Sequence, residues 1–128
     1  MQGFVVGGEL FGPAVAVTAL TKWVHIVRGA TGTVVSVEAA IAVVATGADR
    51  TITVDLHKST GAGAFATILS ATIGFTNASA VRTMVAGTIS TATLADGDIL
   101  AVVVTVAGAG GNQATGLTVT VNLGEDPQ

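Results

Sequence analysis

The alternation of apolar and polar residues near the end of the chain restricts its fold more than any other feature. Leu117, Val119 and Val121 alternate with threonines, and successive side chains of a β-strand point to opposite faces. This period of two predicts a strand with one buried and one solvated face. The run 99–106 is almost entirely β-branched or aliphatic and predicts a second strand, separated from the first by the glycine-rich loop 108–111. We expect the two strands to form a terminal antiparallel pair.

Similar apolar runs, bounded by turn residues such as glycine, aspartate and asparagine, recur along the whole chain. The predicted strands are residues 14–20, 23–27, 33–45, 51–57, 65–73, 81–90, 99–106 and 117–123. About eight strands at this spacing predict an all-β fold, an antiparallel β-sandwich that is jelly-roll-like.

The segment 37–45, VEAAIAVVA, also contains good helix formers, so a helix is the alternative there. Its β-branched flanks and the glycines on both sides favour a long strand, which tolerates a β-bulge. The predicted inner face of that strand carries Val35, Val37, Ala39, Ile41 and Val43.

Two further strands carry the polar and aromatic residues of most interest. The run 51–57 is clearly amphipathic, with aliphatic residues facing inward and Asp55 and His57 facing outward. By the same period, Trp23 and His25 share one face of the strand 23–27. Trp23 could stack on a sugar, but a lone Trp among aliphatic residues is more often part of the core, where we expect it.

The composition argues against two classes of partner and for a third. Only 10% of the residues are charged, against a usual fraction of about a quarter. A net charge of -3 offers no basic surface for phosphates, so we expect no nucleic-acid partner. The mean hydropathy is +0.75, but no apolar run reaches the roughly 18–20 residues of a spanning helix, and we expect no membrane partner. Because monomers rarely expose large apolar patches, we expect an obligate homo-oligomer.

The beginning of the chain differs from the rest. Residues 1–13 hold four glycines and a proline, which predicts an N-terminal arm before a single β-sandwich domain at 14–128. The arm either lies on a neighbouring subunit or is a frayed terminus. Aliphatic and aromatic residues of the arm, together with three arginines that suit carboxylates, are the predicted subunit or capsid contacts. They are Phe4, Val5, Val6, Leu10, Phe11, Arg28, Arg50 and Arg82.

Four runs of the chain resemble a pattern found in small jelly-roll domains of tailed-bacteriophage virions. They are TITVDLHKS, TILSATIGF, GTISTATLADGDILAVVVTVAG and GLTVTVNLG, within residues 51–123. Such domains occur in capsid decoration (cement) proteins and in fibre or spike modules. The resemblance implies a virion protein, trimeric or otherwise multimeric, that is made in the host cytoplasm and binds the major capsid protein at the capsid surface. The low charge and the few aromatic residues depart from many fibre modules.

These observations lead to two main functional hypotheses, and a hydrolase or metalloenzyme is a third that we do not expect. The first is a structural decoration protein that binds the outer capsid surface and stabilises it. The alternative is a fibre or knob module that binds a host receptor or glycan through its loops. That alternative needs aromatic residues in the loops after Lys58 and Gly108, where the sequence shows polar residues and no aromatic nearby.

Candidate catalytic and metal-binding residues are few, and we expect neither an enzyme nor a bound cofactor. Cysteine is absent, which excludes disulfides and thiolate metal sites. No G-x-S-x-G nucleophile motif occurs, and the glycines 108–111 lack the lysine and helix of a phosphate loop.

Two groups of acidic and histidine residues have alternative interpretations. Asp96 and Asp98 flank a glycine, which suits either a calcium ligand pair or a tight turn, and we expect the turn. His57 and Asp55 could join His25 in a metal site with two histidines and one carboxylate. A solvated or interfacial histidine is the expected role.

Overall fold

The computed structural model describes residues 2–127, which form twelve strands and no helix in three antiparallel sheets. The strands are β1 (Gln2–Ala16), β2 (Leu20–Ile26), β3 (Ala30–Val43), β4 (Thr51–Ser59), β5 (Ala66–Thr67), β6 (Leu69–Ala71), β7 (Ile73–Phe75), β8 (Val85–Ala86), β9 (Thr88–Ile89), β10 (Thr93–Leu94), β11 (Ile99–Ala107) and β12 (Thr115–Pro127). The predicted all-β sandwich is confirmed.

Two large sheets form the sandwich. Sheet 1 has the order β1-β12-β3, with β8 and β10 both paired to the far edge of β3. Sheet 2 has the order β2-β11-β4, with β5 and β7 both paired to β4. If each of these two pairs of short strands counts as one interrupted strand, eight positions remain in two sheets of four. This is a jelly-roll-like order, and it agrees with the predicted number of strands.

The two sides of the sandwich differ. On one side, β6 lies between β5 and β7 in the chain, β9 lies between β8 and β10, and β6 pairs with β9. This small sheet links the edge of sheet 1 to the edge of sheet 2, and we call it the closed side. On the opposite side, β1 and β2 are edge strands, and no strand pair links them among residues 2–127. We call this the open side.

The inner faces of both sheets are apolar, as the period of two predicts. In β12 the residues from Leu117 to Leu123 at alternate positions are buried, and in β4 Ile52, Val54 and Leu56 are buried. Burial of apolar surface contributes about 25 cal/mol per Å², so these facing rows are the main source of stability.

The predicted pairing of the last two strands is wrong. β11 lies in sheet 2 between β2 and β4, whereas β12 lies in sheet 1 between β1 and β3. The glycine-rich loop between them crosses from one sheet to the other. In this arrangement each strand has a partner on both of its edges, and its apolar face packs against the opposite sheet.

Three of the predicted strands are broken up or misplaced in the structure. Residues 65–73 and 81–90 are each broken into short strands, because parts of both segments leave their sheets to form the β6–β9 pair. The predicted strand 14–20 is also wrong, since β1 ends at Ala16 and β2 begins at Leu20.

The helix alternative for 37–45 is wrong, and the bulge occurs. The register of β3 against β12 moves from Ser36–Asn122 to Val34–Leu123, which leaves Val35 without a partner. Val35 is therefore 62% exposed instead of lying on the inner face. Val43, at the end of β3, is also exposed, whereas the three predicted inner residues between them are buried.

Residues 2–13, predicted as an arm, lie in strand β1. The predicted boundary at residue 13 falls inside this strand. β1 pairs with β12 from Gln2–Glu125 to Ala16–Thr115, with register shifts after Glu9. Its alternate residues Phe4 and Val6 pack against the core, which explains why this glycine-rich segment is extended along the sheet.

Candidate functional site

The free edge of β1 is the longest unpaired edge in the described chain. β12 is the only strand that pairs with β1 among residues 2–127. In an antiparallel edge strand, every second residue directs its N–H and C=O groups away from the sheet. Natural edge strands are usually protected by lysine, proline or a bulge. Residues 2–6 of β1 have none of these.

Four of the five predicted contact residues in this strand are partly buried. Phe4, Val6, Leu10 and Phe11 are half-buried and pack against the core. Val5 points to the opposite face and is 60% exposed. A subunit or capsid contact for all five stays a prediction, and Val5 is the member with the most surface to offer a partner.

Two of the three predicted arginine contacts are engaged within the chain. Arg50 donates from Nε to the carbonyl of Gly110 (3.0 Å) and from an Nη atom to Ala109 and Gly111. Arg82 donates to the carbonyl of Ala42 at 3.2 Å. Arg28 is exposed, and no hydrogen bond or ion pair involves it among residues 2–127. It is the arginine best placed to pair with a carboxylate on another molecule.

The prediction that Trp23 lies in the core is wrong. Trp23 is 56% exposed on the outer face of sheet 2. Its ring lies 5.9 Å from that of Phe65, centroid to centroid, at an angle of 45°. Phe65 is half-buried at the end of the loop after β4, so this loop does place an aromatic residue beside the sheet.

A β-bulge places Trp23 on the outer face. Ile26 and His25 pair with Ile99 and Leu100, but Trp23 then pairs with Ala101, which leaves one extra residue in β2. Trp23 and Ile26 therefore share the outer face, and His25 lies on the other face. The predicted common face for Trp23 and His25 is wrong for this reason.

Next to Trp23, a hydrogen-bonded group of polar side chains crosses the same face. His57 Nε2 lies 3.0 Å from Asp55 Oδ2, and Thr67 Oγ1 donates to Asp55 Oδ1 at 2.6 Å. A carboxylate oxygen only accepts, so Nε2 is the donor in the first of these bonds and Nδ1 is left for another partner. Because Thr67 donates to the carboxylate and not to His57, this group lacks the hydrogen bond that activates a nucleophile.

The two histidines lie on opposite faces of sheet 2. His25 pairs with the inward-facing Leu100, whereas His57 pairs with the neighbouring Ala101. His25 Nε2 lies 3.3 Å from Glu125 Oε2, and its ring contacts Phe4 edge-on at 5.2 Å. The predicted alternative of one metal site shared by both histidines is therefore wrong. No group of three His, Asp or Glu side chains suited to a metal ion occurs among residues 2–127.

Asp96 and Asp98 have the predicted turn role. Asp98 is buried and accepts from the backbone N–H of Ala95 at 2.8 Å, and Lys58 Nζ lies 3.9 Å from its carboxylate. Asp96 accepts from the N–H of Gly29 at 2.9 Å. The two carboxylates therefore fix the entry to β11 by binding different parts of the backbone.

The glycine-rich loop 108–111 is held by the loop between β3 and β4. The Asp49 carboxylate accepts from the N–H groups of Ala109 and Gly110 at 3.1 Å each. These two bonds hold the pKa of the Asp49 carboxyl below its ordinary value of 3.8. Two backbone amides of this loop are thus bound to a carboxylate within the protein and are not offered to a phosphate.

A small pocket lies beside β1. Its volume is about 180 Å³, and its walls include Glu9, Phe11, Pro13, Ala42, Arg82 and Gly116. Typical ligand pockets have about 300–1,000 Å³. A flat surface is therefore a better candidate for binding than this pocket.

Comparisons of the chain with protein-family models, with curated proteins and with solved structures found no match. No helix in residues 2–127 is long and apolar enough to cross a membrane.

Proposed function

We propose that this chain is a structural virion protein that decorates the outer surface of a phage capsid and stabilises it. The observation that carries the proposal is the free edge of β1 over residues 2–6, with the exposed Val5 beside it. The resemblance of residues 51–123 to virion jelly rolls supplies the class of partner. The chain would act as a homo-oligomer, and the resemblance favours a trimer.

A free edge suits assembly because backbone groups provide the contact. Another chain that adds a strand to β1 forms main-chain hydrogen bonds, and exposed side chains then determine which chain fits. Arg28 offers a charged contact at another place on the surface. Each contact can be weak, because many copies on one lattice multiply the total binding.

The test is binding of purified variants to the assembled capsids of the phage, measured by cosedimentation. Val5→Lys puts a charge on the free edge, which natural proteins use to prevent edge pairing. Met84→Lys is the control, because Met84 is similarly exposed (45%) but lies in the segment before β8, on the closed side. Deletion of residues 1–12 is a poorer test, since it removes most of β1 and uncovers the buried residues of β12.

The proposal predicts that the wild type and Met84→Lys bind the capsid and that Val5→Lys binds at least about tenfold more weakly. Arg28→Glu should also weaken binding, because the proposed contact pairs Arg28 with a carboxylate on the shell. Equal binding of Val5→Lys and Met84→Lys would refute the role of the edge. No binding by the wild type would refute the decoration role itself.

A further inference from the structure

The outer face of sheet 2 carries an aromatic surface that the proposed capsid role does not use. Trp23 is the only tryptophan of the chain, and more than half of it is exposed. Ile26, also exposed, lies on the same face, and Phe65 contacts Trp23. An exposed group of large apolar side chains on a folded protein usually marks a binding surface.

Polar groups lie beside these rings on the same face. The pairing of the strands places Trp23, Ala101, His57 and Thr67 side by side in one row across β2, β11, β4 and β5. Ala101 is fully buried although it is not part of the core between the sheets. Its small side chain is therefore covered by larger neighbours on the outer face.

The polar groups are held in place before any ligand arrives. Asp55 binds both His57 and Thr67, and it also accepts from the backbone N–H of Leu56 at 2.8 Å. The side chain of His57 is about three-quarters buried, which limits its rotation. Its Nδ1 makes no hydrogen bond among residues 2–127. A ligand that binds Nδ1 loses little free energy to ordering this side chain.

The dimensions of the row fit a short oligosaccharide better than a protein. Three strand spacings separate Trp23 from Thr67, which is roughly 14 Å. A row of this length that is one side chain wide covers much less than the about 800 Å² that each partner of a stable protein complex buries. The mixture of aromatic rings with a carboxylate and an imidazole also differs from the core of a protein interface, where charged residues are depleted.

We propose that Trp23, Phe65 and His57 form a binding surface for a β-1,4-linked glycan. The equatorial bonds of such a sugar leave an apolar C–H face that stacks on the electron-rich face of an aromatic ring. Its hydroxyl groups hydrogen-bond to His57 Nδ1 and to the exposed Thr67. A β-1,4 chain is an extended ribbon that can lie along a flat sheet, whereas an α-1,4 chain is helical. This inference does not depend on the capsid role.

The single tryptophan makes the experiment direct. Cellohexaose and chitohexaose are added to the full chain while the fluorescence of Trp23 is recorded, with maltohexaose as the α-linked control. The proposal predicts a saturable change with at least one β-linked sugar and a weaker change, or none, with maltohexaose. Absence of any change with both β-linked sugars at millimolar concentration, confirmed by calorimetry, would overturn it.

Three variants, tested by calorimetry, locate the site. Trp23→Ala should weaken binding by about tenfold or more and His57→Ala by a few-fold, whereas Met84→Ala, on the closed side, should bind like the wild type. Circular dichroism checks that each variant is folded. If Trp23→Ala binds sugar like the wild type, the assigned site is wrong. If Trp23→Ala instead lowers the solution mass of the protein, this face is a contact between copies and the glycan proposal is overturned.

Discussion

The two sides of the sandwich differ in whether a strand pair links the edges of the two sheets. On the closed side, the segments 66–75 and 85–94 are each divided into short strands, and two of these, β6 and β9, pair with each other and link the two sheets. On the open side, β1 and β2 each remain one strand with local register shifts, and their outer edges have no strand partner among residues 2–127. A row of unpaired backbone groups is a template for another chain. In the proposed assembly role the open side faces a partner, whereas the closed side links the two sheets of the fold.

The largest predicted effect compares one aromatic residue from each side. Phe75 is 2% exposed in β7 on the closed side, so Phe75→Ala should lower the free energy of unfolding by about 3–5 kcal/mol. Trp23→Ala, on the open side, should cost less than about 1 kcal/mol, because more than half of the ring is already in water. Urea unfolding of both variants measures the two costs. Similar losses would contradict the assignment of Trp23 to a binding surface.

The next prediction concerns how firmly β1 is attached. Gly7 has a φ of +92°, and a Cβ there would collide with the carbonyl oxygen of Val119. Gly7→Ala should therefore destabilise the protein by about 1–3 kcal/mol. Gly74→Ala on the closed side is the matched control, since its Cβ would meet no atom within 4 Å and its φ is ordinary. We expect that variant to be as stable as the wild type or slightly more stable. Equal stability of the Gly7 variant would mean that β1 is only loosely held.

The third prediction concerns one end of the sandwich, which belongs to neither side. The pKa of Asp49 is lowered by the backbone N–H groups from which its carboxylate accepts hydrogen bonds. The carboxylate therefore stabilises the fold above pH 3.8, and this contribution is lost as the pH falls through the lower pKa of the folded state. Asp49→Asn should thus be less stable than the wild type at pH 7, and the difference should shrink in acid. Urea unfolding between pH 7 and pH 3 measures it. A difference that does not change with pH would contradict the hydrogen-bonding role of the carboxylate.

Most of the fold could be predicted because the inner faces obey one simple pattern. The alternation in 51–57 and 117–123 gives the buried rows of both large sheets. The pairing of β11 with β2 and β4 could not be predicted, since strand pairing depends on contacts distant in the sequence. The same holds for the division of 65–73 and 81–90, where the gain from linking two sheets exceeds the local preference for a continuous strand.

The surface was less predictable because single-residue bulges reverse the faces of a strand. One extra residue in β2 turns Trp23 outward, and one in β3 does the same to Val35. Neither bulge has a clear sequence signal such as a glycine at the inserted position. Asp55 and His57, in the regular strand β4, lie on the predicted outer face. Their proximity to Trp23 depends on how the strands are ordered, which the sequence does not specify locally.

The variant with the smallest expected effect on stability gives the clearest test of self-association through the open side. Val5→Lys should change the free energy of unfolding by less than about 0.5 kcal/mol, because Val5 is a surface residue. The decisive measurement is the solution mass of the wild type, Val5→Lys and Met84→Lys by light scattering at several concentrations. An open side that meets a second copy predicts an oligomer for the wild type and for Met84→Lys, and a shift towards monomer for Val5→Lys. A wild type that stays monomeric at every concentration, or a Val5→Lys variant with unchanged mass, would contradict self-association through the open side.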